Sequence, residues 1–277
     1  MRDFSDILIL TDLDGTFFGD HATVVPRNVE AIERFKAAGG FFSISTGRVH
    51  TGLEKNIPGI GTLVNAPMAC CNGAQLYDVR IRKTLEEKPM DPARSTALLR
   101  YLSEKYADAF YRISVPEGML VTPDSAARSE RLQLEMRNSS SFIIRDWDGL
   151  SDYTWYKIVF RGDSDLLDVM RKDAIRAGFG EMTFSKSAPT FFEVQGPGVN
   201  KGAMIPSLKA YCKAVSGKDV RVYACGDYEN DIPMLRTADV SVCPANAIDS
   251  VKEMADMCLC GNNEGLIADL IERLEKE

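Results

Sequence analysis

A short apolar run near the start of the chain ends in two acidic residues, and this combination constrains the fold strongly. Residues 7–10 are consecutive apolar side chains, the pattern of a strand buried on both faces of a parallel sheet. Asp12 and Asp14 follow this run, and Gly15 then allows a turn. Burying carboxylates at the end of a strand costs free energy unless a positive group pairs with them. The sequence therefore predicts a positive partner at this end of the strand.

Composition limits the functions to consider. The chain of 277 residues has a formal net charge of -7, which argues against a nucleic-acid partner because such proteins normally present a basic face. We find neither a signal-peptide pattern nor an apolar run of the roughly 18 residues that a membrane helix needs. The 7 cysteines are an odd number and mostly have apolar neighbours. We therefore expect a cytoplasmic protein with reduced thiols and no membrane association.

Strand and helix patterns alternate in the first part of the chain and again in the last. This alternation predicts an α/β fold with a doubly wound, Rossmann-like parallel sheet. Pro206 should either kink the helix predicted after residue 202 or mark its true start, and Pro233 suits the first turn of the next helix. The predicted strands cover residues 7–10, 41–45, 63–65, 68–71, 220–225, 240–242 and 258–260. The predicted helices cover residues 28–38, 48–56 and 266–274, and a hairpin covers 17–25.

The pattern differs in the middle of the chain, where helical stretches alternate with short strands. Both tryptophans lie there, and the segment is too long for a loop and large enough for its own core. We therefore predict an inserted domain at 83–187, between core segments 1–82 and 188–277. Its predicted helices cover 92–106, 125–137 and 164–177, and its clearest strand covers 155–160.

Polar residues follow several of the predicted core strands. Because ligands bind outside the carboxyl ends of the strands in a doubly wound sheet, we expect these side chains to converge. They are Asp12, Asp14, Thr46, Gly47, Arg48, Asp227, Asn230 and Asp231, with Lys201 at a helix start on the same side.

These residue types together indicate phosphoryl transfer. Clustered carboxylates favour Mg²⁺, which binds one or two of them together with substrate phosphate. A Thr46-Gly47 turn at a helix start offers backbone N–H groups to phosphate, and Lys201 adds a positive charge. One carboxylate can attack phosphorus to form an aspartyl-phosphate, while a second moves the proton of the leaving oxygen and of the water.

Four motifs, in order, resemble those of the haloacid dehalogenase superfamily. They are residues 12–16 (DLDGT), 45–48 (STGR), 200–202 (NKG) and 226–231 (GDYEND). The long insertion between the second and third motifs resembles the type IIB α+β cap of the Cof-like phosphatases. Residues 72–74 (NGA) and 246–247 (NA) are also similar to that subgroup.

The resemblance implies a role for each matching residue. Asp12 would be the nucleophile and Asp14 the acid/base, with the Asp14 carbonyl also on Mg²⁺. Asp227 would bind the metal directly. Asp231 would contact groups that bind the metal and would not itself be a direct ligand. Phosphate would be held by Thr46, Gly47, Lys201 and Asn230, and Arg48 would reach phosphate or substrate. Phe17-Phe18 and Ser45 depart from the common pattern, and we expect neither departure to affect the chemistry.

The resemblance thus implies a Mg²⁺-dependent phosphatase for a small phosphorylated metabolite, such as a sugar phosphate, with a mobile cap. Two alternatives stay open, namely a phosphomutase of the same superfamily and a non-catalytic protein that binds a phospholigand. Asp227, Asn230, Asp231 and Thr46 could also be simple helix caps, Lys201 could be a purely structural lysine, and Arg48 could be a surface salt-bridge partner. A calcium loop is excluded because Phe17 and Thr23 occupy positions that need glycine and glutamate.

Overall fold

A computed structural model describes residues 2–138 and 141–276, which form two compact units. The first unit comprises Met1–Gly47, Ile57–Glu86 and Asn200–Glu277, and the second comprises Arg48–Asn56 and Glu87–Val199. None of the helices in the described part of the chain has the length and apolar character needed to cross a membrane.

Strands and helices are numbered in chain order. The strands are β1 (Ile7–Thr11), β2 (Phe18–Gly19), β3 (Thr23–Val24), β4 (Phe41–Ile44), β5 (Met68–Cys70), β6 (Gln75–Asp78), β7 (Lys83–Glu87), β8 (Phe110–Val115), β9 (Gly118–Val121), β10 (Phe142–Ile144), β11 (Lys157–Arg161), β12 (Thr183–Ala188), β13 (Phe191–Gln195), β14 (Arg221–Cys225), β15 (Val240–Pro244) and β16 (Met257–Leu259). The helices are α1 (Pro26–Ala37), α2 (His50–Asn56), α3 (Ile60–Leu63), α4 (Pro92–Lys105), α5 (Pro123–Ala127), α6 (Glu130–Asn138), α7 (Ser164–Ala174), α8 (Ile205–Ser216), α9 (Ile232–Thr237), α10 (Asp249–Lys252) and α11 (Leu266–Leu274).

The first unit contains a parallel five-stranded sheet in the order β16-β15-β14-β1-β4. β1 is flanked by β14 and β4 and is buried along its whole length, as its apolar run predicts. Leu8 and Leu10 of β1 pack in one apolar cluster with Leu208 and Cys212 of α8. The predicted α/β class is confirmed, and β2 and β3 form the predicted hairpin.

Two local predictions in the first unit have different outcomes. Pro206 lies in the first turn of α8, as expected for a residue that marks a helix start. Residues 63–65, predicted as a strand, are instead the end of α3 and the loop after it. The Asn65 side chain accepts a hydrogen bond from the Phe42 N–H (2.7 Å) and donates one to the Gly40 carbonyl (2.8 Å). An amide side chain therefore pairs with the backbone around β4 where a strand was expected.

The second unit is an α+β structure built on a six-stranded sheet in the order β10-β9-β8-β11-β13-β12. Its pairs are antiparallel except for β9 with β10. Leucines of α4 and residues of α7 pack with alternate sheet residues, including Tyr111, Phe160 and Phe192, to form its core. The predicted helix at 125–137 is two helices, α5 and α6.

The units do not end where the sequence suggested. The predicted second core segment begins at residue 188, but β13 (Phe191–Gln195) pairs with β11 and β12 in the second unit. Residues 48–56, predicted in the first core segment, also belong to the second unit. The pairing of β13 with β11 joins strands that are distant along the chain, and the residue pattern at 183–195 does not reveal it.

Candidate active site

Adjacent parallel strands bring residues 12 and 227 to the same edge of the sheet. β1 and β14 pair with Thr11 opposite Cys225, and the Asp12 N–H continues this pairing by donating to the Cys225 carbonyl (2.9 Å). Asp12 follows β1 directly, and Asp227 follows β14 after a single glycine. The predicted convergence therefore follows from strand order and register.

Lys201 joins two carboxylates at this edge. Its Nζ donates to Asp12 Oδ1 (2.7 Å) and to Asp231 Oδ1 (2.6 Å). The side chains of Lys201 and Asp231 are only 2% and 0% exposed, so water screens this network little. Burial raises the pKa of Asp12, and the charges of Asp231 and Asp227 add to that effect. Burial alone would lower the pKa of Lys201, but the two carboxylates outweigh it and keep the ammonium charged.

Asp231 organises the loop that follows β14. Its Oδ2 accepts hydrogen bonds from the backbone N–H groups of Asp227 (3.0 Å) and Tyr228 (3.1 Å). Asp231 therefore does cap a turn, one of the alternatives that the sequence left open, and it also contacts Lys201. With both oxygens engaged in this way, Asp231 positions other groups of the site.

Asp227 is held by the turn after β1. The Thr16 hydroxyl donates to Asp227 Oδ1 (2.6 Å). Gly15 has φ +84, and a Cβ at this position would lie 2.5 Å from Asp227 Oδ2, so only glycine fits. Asn246 Nδ2 donates to the Gly15 carbonyl (2.8 Å) and holds the same turn. Burial, and then the charge of Asp231, raise the pKa of Asp227 to about 6.

Three carboxylates of this site could hold a metal ion. Asp12, Asp227 and Asp231 each offer an oxygen, and these oxygens lie within 4.8 Å of one another. Lys201 donates to two of these three acids, and three carboxylates exceed its one positive charge, a balance that suits a divalent cation. The carboxylate of Asp14 is outside this group; Asp14 is exposed, and its charge contributes to the raised pKa of Asp227.

The residues predicted to hold phosphate, unlike the three clustered acids, lie in several different loops. Thr46 is buried in the loop after β4, where its N–H donates to the Ala69 carbonyl (2.8 Å). α2 begins only at His50, so Thr46 is not its cap. Asn230 is 6% exposed in the turn beside Asp231. Arg48 opens the stretch Arg48–Asn56 and belongs to the second unit.

Two hydroxyls contribute to the site in ways that the motifs did not reveal. Ser45 Oγ donates to the Lys201 carbonyl (3.1 Å), so this departure from the common pattern contacts the backbone of a site residue. Thr16, a residue of the first motif to which the resemblance gave no role of its own, fixes Asp227 by a hydrogen bond. Hydroxyl residues directly after a buried strand and directly after a turn glycine are the signal that could have identified both.

A family model for haloacid dehalogenase-like hydrolases matches residues 9–271. This chain belongs to the haloacid dehalogenase-like hydrolases. The resemblance carried by the four motifs is thereby confirmed at the level of the family.

Individual members of the family align with this chain over nearly its full length. The pyridoxal phosphate phosphatase YbhA of Escherichia coli is 27% identical over 95% of this chain and 97% of its own length. The 5-amino-6-(5-phospho-D-ribitylamino)uracil phosphatase YcsE of Bacillus subtilis is 25% identical over 95% and 94%. The solved structure of the HAD subclass IIB sugar phosphatase BT4131 is 17% identical, with a TM-score of 0.79 over 97% of this chain and 99% of that chain. At this identity, the solved structure shows a shared fold alone.

Proposed function

We propose that this protein is a Mg²⁺-dependent phosphatase that hydrolyses the phosphate ester of a small metabolite through an aspartyl-phosphate. The observation that carries the proposal is the buried lysine joining Asp12 and Asp231, with Asp227 in the same cluster. Membership of the hydrolase family and the phosphatase activities named for YbhA and YcsE support it.

Asp12 is the proposed nucleophile. Its Oδ1 accepts a hydrogen bond from Lys201, and its other oxygen, Oδ2, is the atom that would attack phosphorus. Lys201 holds the carboxylate in place and offers positive charge where negative charge grows on the phosphoryl oxygens. Hydrolysis of the resulting aspartyl-phosphate regenerates the Asp12 carboxylate.

Asp14 is the proposed acid and base. It is exposed and stands two residues beyond the nucleophile, on the turn that Gly15 and Thr16 anchor. It would donate a proton to the leaving oxygen and later accept one from the attacking water. Thr46, Gly47 and Asn230, with Lys201, would bind the phosphoryl oxygens, and Arg48 would bind phosphate or another part of the substrate.

Asp12 and Asp227 would hold Mg²⁺ directly, with the Asp14 carbonyl as a further ligand and Asp231 acting through Lys201 and the loop. When bound, the ion supplies positive charge to the phosphoryl oxygens. The second unit would be the type IIB cap. We further propose a cytoplasmic location and no nucleic-acid or membrane partner, on the charge and cysteine content of the sequence.

Replacing the nucleophile tests this function. Asp12→Asn should abolish Mg²⁺-dependent hydrolysis of an aryl phosphate, because an amide oxygen cannot form the acyl phosphate. Asp20→Asn, at an exposed acid of the first unit, is the matched control and should keep full activity. Undiminished hydrolysis by Asp12→Asn would overturn the mechanism. Phosphate release without any acceptor would favour hydrolysis over the phosphomutase alternative.

A further inference from the structure

Two cysteine side chains of the first unit lie side by side at the edge of its parallel sheet. Cys243 of β15 and Cys258 of β16 are directly opposite each other in the strand register, and β16 is the outermost strand on its side. Side chains that are opposite each other on paired strands point to the same face of the sheet. Paired strands lie about 4.8 Å apart, and the Cα atoms of a disulfide are usually about 4.4–6.8 Å apart. The register therefore places these two free thiols within reach of a disulfide.

The two thiols differ in their access to solvent. Cys258 is exposed, whereas Cys243 is 0% exposed and belongs to the apolar cluster that contains Leu235 and Val251. Burial, and then the neighbouring Cys258 thiol, raise the pKa of Cys243 to about 12, while the charge of Lys252 opposes both effects. Structural cysteines are typically buried and inert, and Cys258 does not fit that description. A reagent in solution would reach Cys258 first, with Cys243 beside it.

The other cysteines are placed less favourably for a reaction with Cys258. Cys260 is half-buried and lies beyond the end of β16 at Leu259, so no register partner fixes its position. Its N–H donates to the Asp269 carboxylate (3.3 Å), and burial together with the charge of Asp269 raises the pKa of its thiol. Four more cysteines are buried, namely Cys70, Cys71, Cys212 and Cys225. In the described part of the chain, Cys243 is thus the cysteine that strand pairing sets against Cys258.

We propose that Cys243 and Cys258 form a reversible disulfide when the protein meets a hydroperoxide, so that this pair is a redox-sensitive modification site. Cys258 Sγ attacks an oxygen of the hydroperoxide, the O–O bond breaks, and a sulfenic acid and an alcohol form, or water in the case of hydrogen peroxide. Cys243 Sγ then attacks Cys258 Sγ, the S–OH bond breaks, and the Cys243 proton leaves with the hydroxide as water. The thiols are oxidised to one disulfide, and the hydroperoxide takes up both electrons and both hydrogens.

The pair is connected to the proposed active site through the segments that follow each strand. Asn246 follows Cys243, and its side chain donates to the Gly15 carbonyl (2.8 Å) and accepts from the Asn262 N–H (3.0 Å). Asn262 itself follows Cys258 along the chain. A disulfide bond of about 2.05 Å is much shorter than a contact between two thiols, so the ends of β15 and β16 must adjust when it forms. Because that adjustment reaches the turn at Gly15, we expect the disulfide to slow hydrolysis, an expectation that rests on the proposed function.

Peptide mapping of the full-length protein tests the proposal. The reduced protein is treated with hydrogen peroxide, the remaining thiols are alkylated, and the peptides are analysed by mass spectrometry before and after dithiothreitol. We expect a peptide pair joined through Cys243 and Cys258 that the reductant separates. Hydrolysis of an aryl phosphate should slow several-fold on oxidation and recover with the same reductant. Cys258→Ser should abolish both effects, and Cys260→Ser, the matched control at a neighbouring thiol, should keep both.

A variant of the buried partner separates the two chemical steps. Cys243→Ala removes the second thiol, so the sulfenic acid of Cys258 should persist and react with dimedone to a greater extent than in the wild-type protein. Cys258→Ser, at an exposed position, changes no core contact and keeps the proposal testable if Cys243→Ala does not fold.

Three products would overturn the proposal. They are a sulfinic acid at Cys258 without a cross-link, a disulfide between Cys258 and Cys260, and a disulfide between two copies of the chain on a non-reducing gel. A disulfide between Cys243 and Cys258 with unchanged hydrolysis would overturn the connection to the active site. If the reduced protein hydrolysed no phosphate ester, the proposed function would fail while the thiol chemistry stood.

Discussion

The two units bury charge in different ways. In the first unit, Lys201 faces Asp12 and Asp231 with Asp227 close by, so carboxylates exceed cations. In the second unit, Lys157 pairs with Glu193 across neighbouring strands (2.8 Å), and Arg112 lies 3.8 Å from the carboxylate of Glu135. Buried charge of one sign is costly, so the excess of carboxylates in the first unit suits a cation, whereas Lys157 and Glu193 compensate each other in the second.

The largest loss of stability should follow the removal of Lys201, the lysine that Asp12 and Asp231 share in the first unit. Lys201→Met leaves Asp12 and Asp231 buried without their cation and should cost about 3–5 kcal/mol of unfolding free energy, measured in urea. Lys209→Met is the matched control, because Lys209 pairs with Asp239 (2.7 Å) with side chains 37% and 38% exposed. The control should cost less than about 1 kcal/mol. Equal losses of unfolding free energy in both variants would show that the buried network stabilises the fold no more than an exposed ion pair does.

A smaller effect should appear in the pH dependence of stability of the metal-free protein. The pKa of Asp227 is raised from 3.8 to about 6, so the folded state binds more protons than the unfolded state between these values. Stability should therefore fall as the pH rises through this window, by at most about 3 kcal/mol. Asp227→Asn should remove that fall, measured by urea unfolding in a chelator.

Mg²⁺ provides the control for the pH experiment. A bound cation favours the ionised carboxylate, so adding Mg²⁺ to the wild-type protein should also suppress the fall. Asp78 should behave in the opposite way: burial raises its pKa, but hydrogen bonds from Arg80 outweigh burial and lower it overall. If the stability of Asp227→Asn still fell as the pH rose, another titrating group would be the cause.

The smallest net effect is expected when both members of a buried pair are replaced. Lys157→Met alone leaves Glu193 without its cation, but Lys157→Met with Glu193→Leu should return stability to within about 1 kcal/mol of wild type. Lys201→Met with Asp231→Leu should not recover, because Asp12 stays unpaired and the Asp227 and Tyr228 N–H groups lose their acceptor. Urea unfolding of both double variants gives the comparison. If the Lys201→Met, Asp231→Leu variant also regained wild-type stability, Lys201 and Asp231 would behave as an isolated ion pair and not as part of a larger network.

The sequence by itself determined the parallel sheet and most of the residues that meet at its edge. Residues 7–10 specify a buried strand because they are apolar and consecutive, and the acids directly after β1 and β14 are placed by strand direction alone. The helix starts at Pro206 and Pro233 are also local, because proline restricts its own backbone and fits the first turn. Local chemistry accounts for these successes.

Only the tertiary structure decided which of these residues touch. The contacts of Lys201 with Asp12 and of Thr16 with Asp227 join parts of the chain that are 189 and 211 residues apart. The pairing of β13 with β11 set the end of the second unit. These features depend on packing between distant segments, and a residue pattern read along the chain carries no information about the partner that packing supplies.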